Sequence, residues 1–156
     1  MTVKKIVIIG AGWFGCHVGL TLLQRGYDVQ IHDKNKSLFL GASGFNQNRL
    51  HMGFHYPRCS KTRFQSRDGF DQFISKYEFL TKKINHNFYA VADNDSMIDF
   101  ATFKQIMTAS DLKYSEINNA EIELQKCSKL IQVDERIICA NKASQYFLSK
   151  LKKILL

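Results

Sequence analysis

Apolar and polar positions follow two rhythms at the start of the chain. Residues 5–9, KIVII, form a short apolar run, and residues 28–33, DVQIHD, alternate with period two, as strands do. Between them Phe14, Val18 and Leu22 recur at helical spacing on one face, which predicts a helix over Trp13–Arg25 that Gly26 stops. Residues 34–58 carry weak periodicity and many glycine, asparagine and aromatic residues, the mark of a long binding loop. Helical spacing returns with Phe64, Phe70, Phe73, Ile74 and Tyr77, which predicts a helix over Ser60–Lys83 with those side chains in the core. Further on the pattern predicts a strand over Phe88–Asp93, a turn at Asp93–Asp95 and a helix over Phe100–Ala109. A strand over Tyr114–Ile117 and a short helix over Ala120–Lys126 come next. Leu130–Ala140 reads as a hairpin or paired short strands, and Lys142–Leu155 as an amphipathic helix.

The junction of the first strand and first helix carries the clearest chemistry. GAGWFG sets glycines at 10, 12 and 15, immediately after a strand and opening a helix. Each has a mechanical task in a dinucleotide-binding βαβ unit: a tight turn, close approach of main chain to a pyrophosphate, and close helix–strand packing. Gly10, Ala11, Gly12, Trp13, Phe14 and Gly15 are therefore the expected diphosphate cradle, with the positive end of the helix behind it. Asp33 ends the second strand, where a carboxylate can accept hydrogen bonds from ribose hydroxyls. An acid there favours FAD or NAD over NADP, although the neighbouring Lys34 keeps a 2′-phosphate in play.

Bulk properties narrow the class. A chain of 156 residues, 45% apolar and with one proline, suits a domain of ordinary size without low-complexity linkers. No run reaches the roughly 18 apolar residues of a membrane span, and the short lysine-preceded VIIGAGWFG reads as a strand, not a leader. The four cysteines have no paired spacing, so neither a zinc site nor a disulfide framework is expected, and a reducing cytoplasm is. The net charge of +8 invites a nucleic-acid partner, but the basic residues are scattered along helices as a solvated surface would have them, so none is expected. Only two strands of the nucleotide-binding sheet are predicted, and the last helix reads as a crossover with nothing after it. The expected fold is thus α/β, a Rossmann-like FAD/NAD(P)-binding βαβ unit that is incomplete. Open sheet edges predict a marginal chain that aggregates, pairs with itself, or takes up a second polypeptide.

Two stretches, IVIIGAGWFGCHVGLTLLQRGYDVQIHDK and SGFNQNRLHMGFHYPRCSKTRFQSRDGFDQF, together resemble the N-terminal portion of FAD-dependent oxidoreductases of the D-amino-acid oxidase superfamily, including its glycine oxidase-like and L-2-hydroxyglutarate oxidase-like members. Asn46, His51, Gly53 and Tyr56 fall on matching positions, whereas Gln47, Asn48, Arg49 and His55 depart from the commoner residues. The resemblance implies FAD bound across the βαβ unit and a substrate-binding domain woven into the chain. Residues 1–57 would form the FAD-binding unit and its flavin-facing loop, 58–140 a helix with the start of an α+β substrate domain, and 141–156 a crossover helix returning to the FAD domain.

Around a flavin the protein mostly supplies placement and electrostatics. Ser43, Asn46, Gln47 and Asn48 can pair with the pyrimidine edge and ribityl hydroxyls, and the expected cofactor contacts continue through Arg49, Leu50 and His51. The alternative is a polar surface turn. His51 and Arg49 are the candidate catalytic side chains. His51 would contact the ring, carry a covalent flavin link as some relatives do, move a substrate proton, or serve as a structural hydrogen-bonder. Arg49 would pair with a substrate carboxylate, with a cofactor phosphate, or with solvent. His55 is a weaker candidate, His17 and His86 read as structural, Cys16 as a packing residue, and no metal site is expected. The expected function is hydride transfer from a small amine or hydroxy acid to flavin, in a truncated N-terminal part of such an enzyme. The alternatives are a non-catalytic dinucleotide-binding remnant and a small NAD-dependent oxidoreductase.

Overall fold

The structure, a computed structural model, describes residues 5–117, 125–127 and 129–156. In chain order the elements are β1 (Lys5–Ile9), α1 (Trp13–Gln24), β2 (Asp28–His32), β3 (Arg49–Leu50), α2 (Ser60–Tyr77), a 3-10 turn (Glu78–Leu80), β4 (Thr81–Lys83), β5 (Phe88–Ala90), α3 (Phe100–Ala109), β6 (Ser115–Ile117), β7 (Leu130–Gln132), β8 (Arg136–Ile138) and α4 (Ala140–Leu151). They divide between two compact units, one built from the chain up to Asn48 together with Ile138–Leu156, the other from Arg49–Ile137. Residues 49–57, expected with the N-terminal unit, thus fall in the second.

In the first unit β1 and β2 pair in parallel, Lys5 opposite Asp28 through Ile9 opposite His32, with α1 as the connection. Gly26, at φ +82°, ends the helix and turns the chain into β2. α1 buries Cys16, Gly19 and Leu20, while Phe14 and Val18 of the predicted apolar face are exposed. Gly19 lies so close to β2 that a Cβ there would sit 2.6 Å from Ile31 Cδ1. α4 stops at Leu151, short of the predicted Leu155, and residues 152–156 correct the expectation of a helix with no successor. The Ile31 amide donates to the Ile154 carbonyl (2.8 Å) and the Leu156 amide to the Ile31 carbonyl (2.9 Å), so Leu155 bridges β2 in parallel. A third strand therefore starts on the far side of β2, the right place for a crossover through α4. So short a run cannot be read as a strand from sequence. Trp13, Phe39 and Phe147 meet ring to ring at 5.4–6.0 Å in this unit's core.

The second unit holds two small sheets, ordered β3-β8-β4 and β5-β7-β6. β7 and β8 are not the two arms of a hairpin, as expected from Leu130–Ala140; each is the centre of a different sheet, and Val133–Glu135 links them. The predicted helix over Ser60–Lys83 ends at Tyr77. Thr81 turns extended, its hydroxyl donates to the Glu78 carbonyl (2.7 Å), and Arg136 grips Thr81 and Glu78. Pairing in a sheet overrides the modest helical preference of the lysines at 82 and 83. In α2 Phe70 and Tyr77 are buried, Phe73 and Ile74 half-buried, and Phe64, expected in the core, is exposed beneath the guanidinium groups of Arg63 and Arg67. Arg63 itself points inward to Ser110 (2.6 Å) and the carbonyls of Tyr56 and Pro57. The strand expected over Phe88–Asp93 stops at Ala90. Asp99 caps α3 by accepting the Thr102 amide (2.8 Å). Phe54, Phe103, Met107, Leu112, Ile131 and Val133 form the core. The helix predicted over Ala120–Lys126 lies for the most part outside the described residues.

Candidate cofactor-binding site

The glycine turn of the first unit is built to leave main chain bare. Gly10 has φ +105°, a conformation that L side chains rarely adopt. A Cβ on Gly15 would lie 1.9 Å from the Gly10 carbonyl oxygen, so helix and turn meet in direct backbone contact. A Cβ on Gly12 would lie 3.0 Å from Ser43 Oγ, and that hydroxyl accepts the Trp13 amide at 2.9 Å. Gly12 caps α1 with no side-chain hydrogen bond and the first turn holds no acid, so the helix presents amides and a positive dipole end.

Asp33 stands beside this turn. Its Oδ2 accepts the Ala11 amide and its Oδ1 the Asn35 amide, both at 2.7 Å. Those amides, Ala11 first, hold the carboxyl below its usual range. Each oxygen keeps a lone pair that a ribose hydroxyl can use. Two cavities flank the carboxylate. One of about 300 Å³ runs over Gly10, Gly12, Gly41 and Ser43. The other, about 380 Å³, is walled by Ala11, Lys34, Leu38 and Leu148. The first suits a diphosphate, the second the flat apolar face of an adenine. Phe14 is exposed, and Cys16 is fully buried with its thiol pushed up to about 12, by burial first and then by the charge of Asp33.

The loop after Ser43 uses its polar groups on itself. Asn46 donates to the Ala42 carbonyl (2.6 Å) and accepts the Asn48 amide, which steadies Asn48 at φ +52°. Gln47 is exposed.

Arg49, Leu50 and His51 belong to the second unit, where a different cluster forms. The β3–β8 ladder sets Arg49 opposite Ile137 and Leu50 opposite Arg136. Just beyond the ladder the side chains of His51 and Glu135 meet, Nδ1 lying 3.3 Å from Oε2. Glu135 is 1% exposed, yet three donors and a histidine ring nitrogen surround it. They are Arg49 Nη2 (2.9 Å), the Met52 amide (2.8 Å), the Tyr89 hydroxyl (2.9 Å) and His51 Nδ1 (3.3 Å). Burial pushes the carboxyl up, but the hydrogen bonds from His51, Met52 and Tyr89 outweigh it and hold the group ionised, below its usual range. Arg49 also donates to Asn87 Oδ1 (2.6 Å) and lies 5.4 Å from the Tyr89 ring centre. Among the described residues Arg49 Nε and Asn87 Nδ2 are buried without a hydrogen-bond partner. His51 stacks on His55 at 5.4 Å and meets Tyr56 edge-on at 6.2 Å. Sequence reasoning singled out Arg49, His51, His55 and Tyr56, but passed over Glu135, Tyr89 and Asn87. Glu135 sits in VDER, which reads as a polar turn; only the β3–β8 pairing turns its carboxylate inward. His17 and His86 lie outside both clusters. Among the described residues no group of three histidine, cysteine or acidic side chains could hold a metal ion, and no helix is long and apolar enough to cross a membrane.

A parallel βαβ unit with bare main chain at its turn, and a fixed carboxylate at the end of its second strand, defines a dinucleotide-binding protein of Rossmann type. Residues 5–135 match the family described as DAO, FAD dependent oxidoreductase. The chain belongs to that family, and FAD is the family's dinucleotide. It is 43% identical over 145 residues to an FAD-dependent monooxygenase of Fusarium mangiferae, covering 93% of this chain and 39% of that protein. Over 140 residues it is 28% identical to the mitochondrial L-2-hydroxyglutarate dehydrogenase of Arabidopsis thaliana, covering 85% of this chain and 29% of that one. The fold is shared with L-proline dehydrogenase from P. horikoshii (TM-score 0.70, 17% identity, 99% of this chain and 44% of that one). It is shared equally with L-α-glycerophosphate oxidase from Mycoplasma pneumoniae with FAD bound (TM-score 0.69, 17% identity, 99% and 44%). The chain thus spans less than half the length of each of these relatives.

Proposed function

We propose that this chain holds the adenosine diphosphate part of FAD and contributes the first portion of a substrate unit to an oxidoreductase that passes a hydride from a small amine or hydroxy acid to flavin. The observation that carries the reading is the pairing of the bare Gly10–Gly15 turn with the Asp33 carboxylate. In this reading the first-turn amides of α1 and the Ser43 hydroxyl hold the diphosphate, and Asp33 holds the ribose. FAD, when bound, supplies the hydride acceptor. Ser43, Asn46, Gln47 and Asn48 line the path toward the flavin, and His51 takes or holds a substrate proton. Arg49 shares its charge with Glu135, so its role is to keep that carboxylate ionised beside His51. The free cysteines support a reducing, cytoplasmic setting.

The likeness to a monooxygenase favours a second reading, in which an oxygen atom enters the product. The readings separate when turnover is run under ¹⁸O₂: label in the organic product supports the monooxygenase, and unlabelled oxidised product with hydrogen peroxide supports the oxidase. For the cofactor itself, the 156-residue chain is titrated with FAD and with NAD while Trp13 emission is followed. Saturable quenching by FAD, lost in Gly12→Val, is expected. Saturation by NAD alone, or by neither, overturns the proposal.

A further inference from the structure

We infer that Glu135 is a positioning residue for His51, holding its imidazole with hydrogen on Nδ1 and the lone pair on Nε2. The inference rests on the proposed role of His51 in proton transfer, but its geometry is independent of flavin.

Two oxygens face Nδ1: Glu135 Oε2 at 3.3 Å and the Tyr89 hydroxyl at 3.4 Å. The Tyr89 hydroxyl uses its own hydrogen on Glu135 Oε2, at 2.9 Å. Glu135 Oε2 already accepts hydrogens from Arg49 Nη2 and the Tyr89 hydroxyl, and has none to offer. A bare Nδ1 would therefore face lone pairs on both sides, whereas a protonated Nδ1 satisfies both. Tyr89 stays a phenol, because burial and the neighbouring carboxylate push its ionisation up. Arg49 balances the charge of Glu135 while His51 is neutral. The remaining titratable groups around the ring, His55 and Tyr56, meet it by ring contact only, stacked and edge-on. Nε2 is left as the basic nitrogen. When it takes a proton from a substrate hydroxyl or amine, the O–H or N–H bond breaks, a bond to Nε2 forms, and the new positive charge lies against Glu135. This is how a buried acid serves a histidine base: it fixes tautomer and orientation and stays ionised itself.

The test is nitrogen-15 NMR of the full chain labelled at histidine. In its neutral form, wild-type His51 should show a protonated Nδ1 and an unprotonated Nε2. In Glu135→Gln the amide can turn an N–H toward Nδ1, so the nitrogen shifts should move toward the form with hydrogen on Nε2. Glu135→Asp, which keeps the carboxylate, should restore the form with hydrogen on Nδ1. A wild-type His51 with hydrogen on Nε2, or an unchanged tautomer in a folded Glu135→Gln, overturns the inference. Should that variant not fold, the wild-type spectrum alone still decides the tautomer. FAD titration of the same sample is a separate arm: failure to bind flavin sinks the proposed function and leaves the tautomer result standing.

Discussion

Asp33 uses both carboxylate oxygens on main-chain amides, those of Ala11 and Asn35, so its charge is pinned beside the glycine turn before any ligand arrives. Asp33→Asn should weaken FAD binding roughly tenfold to a hundredfold, the loss of about 1.5–3 kcal/mol for a charged hydrogen bond, as fluorescence titration would read. The same carboxyl is lowered in the folded chain. Its stabilising share is therefore complete above the unfolded value near 3.9 and is lost as pH falls through the lower folded value. Thermal melts of wild type and Asp33→Asn should differ by a constant amount from about pH 5 to 8 and converge in more acidic solution. Glu135 obeys a harsher rule, because it is buried and paired. Glu135→Leu strands Arg49 and should cost about 3–5 kcal/mol in urea unfolding, while a joint Glu135→Leu, Arg49→Met change should recover much of that. Asp33 was legible in the sequence because its task requires an acid at one place after a strand. Glu135 was not, because an acid in a short polar stretch looks the same whether it faces solvent or a buried ring of polar partners.

At the level of elements, the two glycines on the inner side of α1 do unequal work. A Cβ at Gly15 would meet the Gly10 carbonyl, a backbone atom that cannot step aside, whereas one at Gly19 would meet the free end of the Ile31 side chain. Gly15→Ala should therefore abolish FAD binding and lower the melting temperature sharply. Gly19→Ala should cost only about 1–3 kcal/mol by overpacking and retain FAD binding. Calorimetry with and without FAD checks both. The βαβ unit was readable because strand, turn and helix agree locally, residue by residue. The short strands were not. β4 continues a helical pattern and departs from it only because β8 is its neighbour. β7 and β8 look like one hairpin, yet each joins other strands, and such long-range choices leave little trace in local periodicity.

For the molecule as a whole, the apolar surface of the first unit is the feature to explain. Val7 is 52%, Ile9 82%, Phe14 85% and Val18 43% exposed, and among the described residues β1 has β2 as its sole strand neighbour. An uncovered sheet edge beside exposed apolar side chains promotes association. We expect the chain alone to form concentration-dependent oligomers by light scattering. A double variant, Val7→Lys with Ile9→Lys on the exposed face of β1, should shift it toward monomer, and an unchanged mass distribution would count against that surface.

The bridge between Ile31 and Leu155 also sets a timetable. A ribosome delivers β2 early and its outer neighbour only after the whole second unit has been made. At about 5–20 residues per second the nascent βαβ unit waits on the order of ten seconds for that flank. Closing so wide a sequence gap is also slow for a free chain. The glycine turn is thus synthesised long before the outer flank of its sheet.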